Sequence, residues 1–293
     1  MALDSQRLAR FRDEGGFFRL ETRALIRVSG ADRLRYLNGQ VSNDLRRLKA
    51  GAVQQALVLT AKGKLCATLW IWIDGESFLV EPPVGLVDEV MPRLERYAIA
   101  DDVTFDLVEE DTAGWHVFGP AAGSLTSGRE IARLGLPGRD VEDAPADPWL
   151  EATPDEITYL RIQNGIPAWG PELDADTLPQ EARLERFAVD FHKGCYVGQE
   201  IVSRLKSVGR VNEMLFGFQG TLTAAVTPNK YPLQNSTGKS IGHLTSVVET
   251  TPGQIAALGF ASPRETETVF SITDESGACL GRVERCEFPL ILA

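Results

Sequence analysis

The chain has 293 residues with 43% hydrophobic and 24% charged side chains, which is enough for two or three domains with substantial cores and no need of disulfides or bound metals. Its 30 basic and 41 acidic side chains give a net charge of −11, which opposes nonspecific attraction to nucleic acid or to an anionic membrane surface. The four cysteines include no C-x-x-C pair, which favours reduced thiols in the cytoplasm over a zinc knuckle or a cluster-binding motif. No apolar run approaches the roughly 20 residues that cross a bilayer, so no membrane span is predicted.

The first part of the chain alternates strand-like with helix-like segments. Apolar patterns predict strands at residues 23–28, 54–59, 64–73 and 77–80, and a hairpin signal, Asp74-Gly75, lies between the last two. Helices are predicted after Ser29 and after Pro83, and the pattern starts again at residue 103, with a helix near residues 130–134. This order predicts an α+β fold with two interleaved units and an internal boundary near residue 110.

A well-capped helix precedes a change of pattern. Thr153 is its predicted N-cap, Glu156 can complete a capping box, and Gly165 ends the helix. The last part of the chain shows short strand-like runs at regular intervals, which are typical of a small barrel or sandwich. The sequence therefore predicts an α+β region at residues 1–209 and a separate β domain at residues 210–293.

Reactive side chains are concentrated in one octapeptide, Lys193-Gly194-Cys195-Tyr196-Val197-Gly198-Gln199-Glu200. Gly194 and Gly198 let the backbone turn, and apolar spacing predicts a helix from Gln199 onward. The unpaired N–H groups of a helix start and the ammonium of Lys193 favour a thiolate at Cys195. Cys195 is therefore a candidate reactive or ligand-binding cysteine, and a buried structural cysteine is the alternative.

Two further polar clusters suit an anionic ligand. Arg204 and Lys206 lie on the predicted helix of an otherwise acidic protein, although Glu200 is also spaced for a surface ion pair with Arg204. Arg161 and Gln163 lie near the end of the capped helix, where a plain helix C-terminus is the alternative. The three histidines are isolated, and the sequence has no H-E-x-x-H, G-x-S-x-G, Walker or G-x-G-x-x-G motif.

Together these residues resemble the YgfZ-type proteins, folate-binding relatives of the glycine-cleavage T-protein, an aminomethyltransferase. The octapeptide pattern K-G-C-Y-x-G-Q-E is specific to the YgfZ branch, and the resemblance spans most of the chain. The other matching segments follow the family's order along the chain: Tyr36-Leu37-Asn38-Gly39-Gln40-Val41-Ser42-Asn43-Asp44, Lys62-Gly63-Lys64, Arg96-Tyr97-Ala98 and residues 161–167.

The resemblance implies two ferredoxin-like α+β units and a C-terminal β-barrel, arranged as in the T-protein, with a tetrahydrofolate site near the centre. It also implies a cytoplasmic accessory protein that supports the assembly or repair of iron-sulfur clusters, including those of tRNA-modifying enzymes. The implied partners are a folate and, transiently, client proteins of iron-sulfur metabolism, with no direct contact to nucleic acid or membrane. The client proteins and the oligomeric state are not predicted.

The predicted site combines the residue chemistry with the resemblance. Cys195 and Lys193 are the predicted catalytic pair, and no metal site is predicted. The predicted folate-binding residues are Arg161, Gln163, Tyr196, Gln199, Glu200 and Arg204.

Two alternatives remain open. A tetrahydrofolate-dependent aminomethyl or one-carbon transferase is disfavoured, because Ala67 and Thr68 stand where T-proteins carry a catalytic carboxylate. Gln163 likewise stands where T-proteins have a glutamate that contacts the pterin. A scaffold protein with a vestigial folate pocket is the second alternative, and whether the chain is an enzyme stays open.

Overall fold

Two five-stranded sheets and a closed six-stranded barrel form the framework of the protein. The computed structural model describes residues 2–109, 114–145, 148–207, 209–227, 230–274 and 276–290. The predicted combination of α+β units with a C-terminal β-barrel is confirmed, and of the two predicted forms of the last domain the barrel is the one observed.

The chain begins with helix α1 (Ser5–Asp13) and strand β1 (Gly16–Arg19). The carboxylate of Asp4 caps α1 by accepting a hydrogen bond from the backbone N–H of Gln6 at 2.8 Å. Strand β1 does not pair with the strands that directly follow it in sequence, and instead becomes part of the second sheet.

The first sheet carries helices on one face and tryptophans on the other. Its strands are β2 (Ala24–Ser29), β3 (Val53–Leu59), β4 (Leu65–Asp74), β5 (Ser77–Glu81) and β6 (Thr104–Glu109), in the order β3-β4-β5-β2-β6. Helices α2 (Arg33–Gln40) and α3 (Val87–Glu95) share a core with this sheet. Alternation along β4 turns Leu69 and Ile71 into that core and Trp70 and Trp72 to the opposite face.

The second sheet adds four strands to β1. They are β7 (Trp115–Phe118), β8 (Arg129–Glu130), β9 (Gly138–Val141) and β10 (Leu150–Glu151), and the order is β10-β1-β7-β9-β8. Two helices, α4 (Pro120–Gly123) and α5 (Pro154–Asn164), follow β7 and β10. The predicted capping of α5 is confirmed, because the Thr153 hydroxyl accepts from the backbone N–H of Glu156 and the Glu156 carboxylate accepts from that of Thr153.

The helix expected near residues 130–134 is wrong. Glu130 pairs with Arg139 of the neighbouring strand, and its backbone N–H donates to the carbonyl of Gly51. Ile131 and Leu134 are buried, but they reach the interior from an irregular loop. Strand pairing with Arg139 and the contact with Gly51 overrode the local helical spacing.

An irregular segment with one more helix connects α5 to the barrel. It contains a 3-10 turn, Leu184–Arg186, and ends in α6 (Gln199–Ser207), which confirms the helix predicted from Gln199. The barrel strands are β11 (Met214–Leu222), β12 (Tyr231–Gln234), β13 (Ser240–Thr251), β14 (Gln254–Ala261), β15 (Val269–Thr273) and β16 (Cys279–Cys286), closed in the order β11-β14-β13-β12-β15-β16. Across the described ranges, no helix combines the length and the apolar character that a membrane crossing requires.

A buried network of charged side chains joins the two sheets. Arg133, between β8 and β9, donates to the Glu81 carboxylate at 2.7 and 2.8 Å and to Asp140 at 2.5 Å. Arg23 donates to the same two carboxylates, and His116 Nδ1 lies 2.9 Å from Asp140. Burial opposes ionisation here, but Glu81 and Asp140 raise the pKa of Arg133, and His116 and Arg133 lower the pKa of Asp140. Arg133 and Asp140 therefore stay ionised, and the network links β5 to β9.

Candidate functional site

The octapeptide forms an irregular turn that leads into α6 and leaves one thiol in solvent. Cys195 is exposed, whereas Lys193 and Tyr196 on either side of it are 5% and 7% exposed. The backbone N–H of Val197 also donates to the carbonyl of Gly39. An exposed sulfur is thus held between two buried side chains, and the alternative of a buried structural cysteine is wrong.

Lys193 anchors this segment to the end of α2 and to the residues that directly follow it. Its ammonium donates to the backbone carbonyls of Asn38, Val41 and Asn43 at 2.7, 2.6 and 2.7 Å. Burial lowers the pKa of Lys193 to about 8, so the side chain still carries its proton at neutral pH. All three N–H donors are used by these carbonyls, and the role of Lys193 in ionising the Cys195 thiol stays a prediction.

Two glycines bring the start of α6 against the turn at residues 60–64. Gly198 has φ +87°, and a Cβ there would lie 2.7 Å from the carbonyl oxygen of Thr60. Gly63 in the facing turn has φ +75°, and a Cβ there would lie 2.8 Å from Cβ of Ile201. Only glycine fits at both positions without displacing backbone or a β-branched side chain.

Tyr196 provides the apolar half of the anchor. Its ring belongs to a cluster with Leu57, Leu59 and Val202, and Lys193 Nζ lies 5.2 Å from its centroid. Burial raises the pKa of Tyr196 to about 12. Its hydroxyl is buried without a hydrogen-bond partner within the residues that the structure describes.

The remaining predicted residues divide into two groups. Gln199 is half-buried at the first position of α6, while Glu200 and Arg204 are exposed on the same helix. The surface ion pair considered for Glu200 and Arg204 does not form in the described part of the chain. Arg161 and Gln163 lie on α5, where their side chains contact other elements.

Arg161 and Gln163 connect α5 to the barrel and to Leu290. Arg161 donates to Glu172 at 2.7 Å, to Ser246 at 2.5 Å and to the carbonyl of Ile166 at 2.9 Å. The Gln163 amide donates to the carbonyl of Leu290 at 3.2 Å. Arg161 and Gln163 therefore have neighbours different from those of the other predicted site residues. The others share the segment formed by the octapeptide and α6: Lys193, Cys195, Tyr196, Gln199, Glu200 and Arg204.

A cavity of about 880 Å³ lies between the two sheets, and none of the predicted site residues lines it. Gln55 and Trp70, which pair across β3 and β4, form one wall. Arg133 and Arg139 of the second sheet contribute to the other. The alternation of Trp70 and Trp72 along a predicted strand was the available signal, but it does not distinguish a cavity wall from a packed interface.

Asn43 connects this cavity to the octapeptide. Its side-chain amide donates to the carbonyls of Gln55 at 2.8 Å and Phe187 at 3.2 Å, and both residues line the cavity. Its own carbonyl accepts a hydrogen bond from Lys193. Asn43 therefore contacts both the cavity wall and the side chain of Lys193, two residues before Cys195.

Potential metal ligands are dispersed in the part of the chain that the structure describes. No group of three or more histidine, cysteine, aspartate or glutamate side chains in those ranges is arranged to hold a metal ion. Cys66 is half-buried, and burial raises the pKa of its thiol. Cys195 thus differs from Cys66 in being open to solvent.

Comparison with known proteins finds relatives along most of the chain, although no family model matches it. An uncharacterized protein of Haemophilus influenzae is 29% identical over 216 residues, which cover 69% of this chain and 73% of that protein. An iron-sulfur cluster assembly factor IBA57 homolog, mitochondrial, of Pyricularia oryzae is 30% identical over 220 residues, or 68% of this chain and 56% of that longer protein. A tRNA-modifying protein YgfZ of Shigella dysenteriae serotype 1 is 24% identical over 290 residues, which cover 88% and 89% of the two chains.

Among solved structures, the glycine cleavage system aminomethyltransferase T from Bartonella henselae has the same architecture. The TM-score is 0.76 at 16% sequence identity, over 94% of this chain and 85% of the other. At that identity the likeness shows the fold alone. The T-protein-like arrangement of α+β units and barrel is therefore confirmed.

Proposed function

We propose that this chain, which resembles the YgfZ-type proteins over most of its length, is an accessory protein of iron-sulfur cluster assembly or repair that acts through Cys195 and binds a tetrahydrofolate. The names of its relatives, an iron-sulfur cluster assembly factor and a tRNA-modifying protein, support this field of action. The proposed site of action is the cytoplasm, and the proposed partners are client proteins that carry clusters.

The exposure of Cys195 on a firmly anchored segment is the observation that carries the proposal. A thiolate is the form of cysteine that attacks sulfur or ligates iron, and it must be reachable by the client. An iron-sulfur cluster is commonly held by four cysteine thiolates, whereas this segment supplies one. The proposed contact is therefore transient, and the remaining ligands come from the client.

The cavity between the sheets is the proposed folate site. Its volume of about 880 Å³ falls within the range of roughly 300–1,000 Å³ typical of small-molecule sites. Trp70 offers an aromatic face beside the Gln55 amide, which can both donate and accept hydrogen bonds. Arg139 pairs with Glu130, whose side chain is 66% exposed, so this guanidinium can share its charge with a ligand carboxylate.

This assignment differs from the folate-binding residues expected from the sequence. Arg161 and Gln163 already bind protein groups, and Lys206, which the sequence analysis assigned to an anionic ligand, lines a different cavity near the barrel. A tetrahydrofolate bound in the cavity between the sheets would supply a one-carbon carrier next to Asn43. The protein's own residues would hold its ring and tail and leave Cys195 in solvent.

Replacing Cys195 tests the functional half of the proposal. In cells that depend on this gene, we expect Cys195→Ala to reduce the activity of a cluster-containing client enzyme to the level of a gene deletion. Cys279→Ala and Cys66→Ala should retain activity, since Cys279 is an exposed thiol on barrel strand β16 and Cys66 is half-buried. Equal, negligible losses in all three variants, with unchanged melting temperatures, would remove Cys195 from the mechanism.

Tetrahydrofolate titration tests the ligand half. A ligand at about 100 times its dissociation constant stabilises the native state by about 2.7 kcal/mol, which for this chain length raises the melting temperature by roughly 5 °C. We expect Trp70→Leu to abolish most of this shift and Gln163→Ala to preserve it. The reverse pattern would place the folate at α5, and no shift in the unmodified protein would favour a scaffold with a vestigial pocket.

Aminomethyl transfer is not part of this proposal. Ala67 is fully buried and Thr68 half-buried on β4, and neither side chain can act as a general acid or base at neutral pH. A turnover assay with tetrahydrofolate and aminomethyl or N-methyl donors addresses this alternative directly.

A further inference from the structure

A second cavity, of about 580 Å³, lies between α6 and the barrel, and we call it the α6 groove. Its described lining includes Gln180, Glu185, Phe191, Lys206, Arg210 and Met214. Neither the relatives' names nor the proposed folate site assigns a role to it.

Three cations line the α6 groove in a protein of net charge −11. Lys206, Arg210 and Arg264 are all exposed. Within the described ranges, none of them forms an ion pair with a carboxylate. The groove is therefore a local positive surface that suits an acidic ligand.

The walls of the groove combine apolar surface with hydrogen-bond acceptors. Phe191, Leu205 and Met214 are half-buried, and Lys206 Nζ lies 3.7 Å from the Phe191 ring centroid. The Gln180 amide nitrogen donates to the Val202 carbonyl at 2.8 Å, which leaves its oxygen as an acceptor.

Two acceptors in this wall are unused. Gln180 Oε1 and Glu185 Oε2 are buried, and neither accepts a hydrogen bond from any described residue. Burial also raises the pKa of Glu185. Because both oxygens are inaccessible to solvent, they belong to the protein behind the groove wall and not to the surface that a ligand contacts.

The groove is close to the reactive cysteine along one rigid element. Helix α6 has nine residues and spans roughly 13 Å, with Cys195 just before its start and Lys206 near its end. Phe191 lies in the segment that precedes the octapeptide. A chain bound in the groove would therefore have its neighbouring residues within reach of Cys195.

We propose that the α6 groove binds a short acidic segment of a partner protein. An apolar side chain of the segment packs against Phe191 and Met214, and its carboxylates pair with Lys206, Arg210 and Arg264. This inference goes beyond the proposed function, since it concerns the recognition of a partner and not the chemistry of Cys195.

Fluorescence polarisation with labelled peptides tests the groove in the full chain. The probes are short peptides rich in aspartate and glutamate, with a central leucine, methionine or phenylalanine. We expect the double variant Lys206→Gln, Arg210→Gln to bind the best of them about tenfold more weakly than the unmodified protein. A matched double variant, Lys49→Gln with Lys239→Gln, makes the same change in net charge at exposed lysines outside the groove and should bind normally.

Two single variants complete the test. Met214→Ser should weaken a peptide with a central leucine more than one with a central serine, which a purely electrostatic attraction would not do. Cys195→Ala should bind the peptides unchanged, so that a failure at Cys195 and a failure of the groove are distinguishable. Three outcomes would each overturn the proposal. The two double variants could bind equally well, or no acidic peptide could bind at all. Free glutamate could also displace the labelled peptide as effectively as unlabelled peptide does.

Discussion

Replacing Lys193 with methionine is expected to lower the stability of the protein by about 3 kcal/mol, because one buried and two partly buried backbone carbonyls lose their charged donor. Methionine keeps most of the side-chain length but donates no hydrogen bond. The carbonyls of Asn38, Val41 and Asn43 would then lack the ammonium that now lies within 2.7 Å of each. For a chain of this size, we expect the melting temperature to fall by roughly 6 °C, measured by calorimetry.

Lys64→Met is the matched control for this prediction. Lys64 pairs with Asp176, whose side chain is 86% exposed, and such surface pairs contribute about 0–1 kcal/mol. A Lys193→Met variant as stable as Lys64→Met would contradict the anchoring role. The pH profile of Cys195 alkylation, measured in a background without the exposed Cys279, also tests whether Lys193 affects thiol ionisation. An upward shift of the profile in Lys193→Met would support the effect expected from the sequence.

Arg133→Met is expected to lower the free energy of unfolding by about 3–5 kcal/mol, because it leaves two buried carboxylates with too little compensating charge. Arg133 makes the shortest contacts to both Glu81 and Asp140, whose side chains are 8% and 5% exposed. Arg23 remains, but its contacts to the same carboxylates are longer, at 3.1 and 3.2 Å. The melting temperature should fall by roughly 6 °C or more.

A neighbouring arginine provides the comparison. Arg139 on β9 pairs with the exposed Glu130, and Arg139→Met should cost about 1 kcal/mol or less. Adding Glu81→Gln to Arg133→Met should recover part of the lost stability, since it removes one of the uncompensated charges. A loss no larger than that of Arg139→Met, or no recovery in the double variant, would show that the network does not couple the sheets.

Local sequence rules predicted the elements that depend on near neighbours. The capping box of α5 is formed by Thr153 and Glu156, three positions apart, and the hairpin at Asp74-Gly75 joins strands that are adjacent in sequence. The glycine-rich turn before α6 left open whether Cys195 is exposed or buried, and the structure shows it exposed. The helix expected near residues 130–134 failed because the pairing of Glu130 with Arg139 and its hydrogen bond to Gly51 could not be read from local spacing.

The sequence by itself carried the resemblance to YgfZ-type proteins, through the octapeptide at residues 193–200, and indicated the α+β and barrel architecture, through its periodicities. Only the tertiary structure decided where the cavity lies and what Lys193 contacts. The walls of the cavity come from two sheets, and the carbonyls that Lys193 binds lie about 150 residues earlier in the chain. Such contacts depend on the packing of distant elements, which a single sequence does not encode in any local pattern.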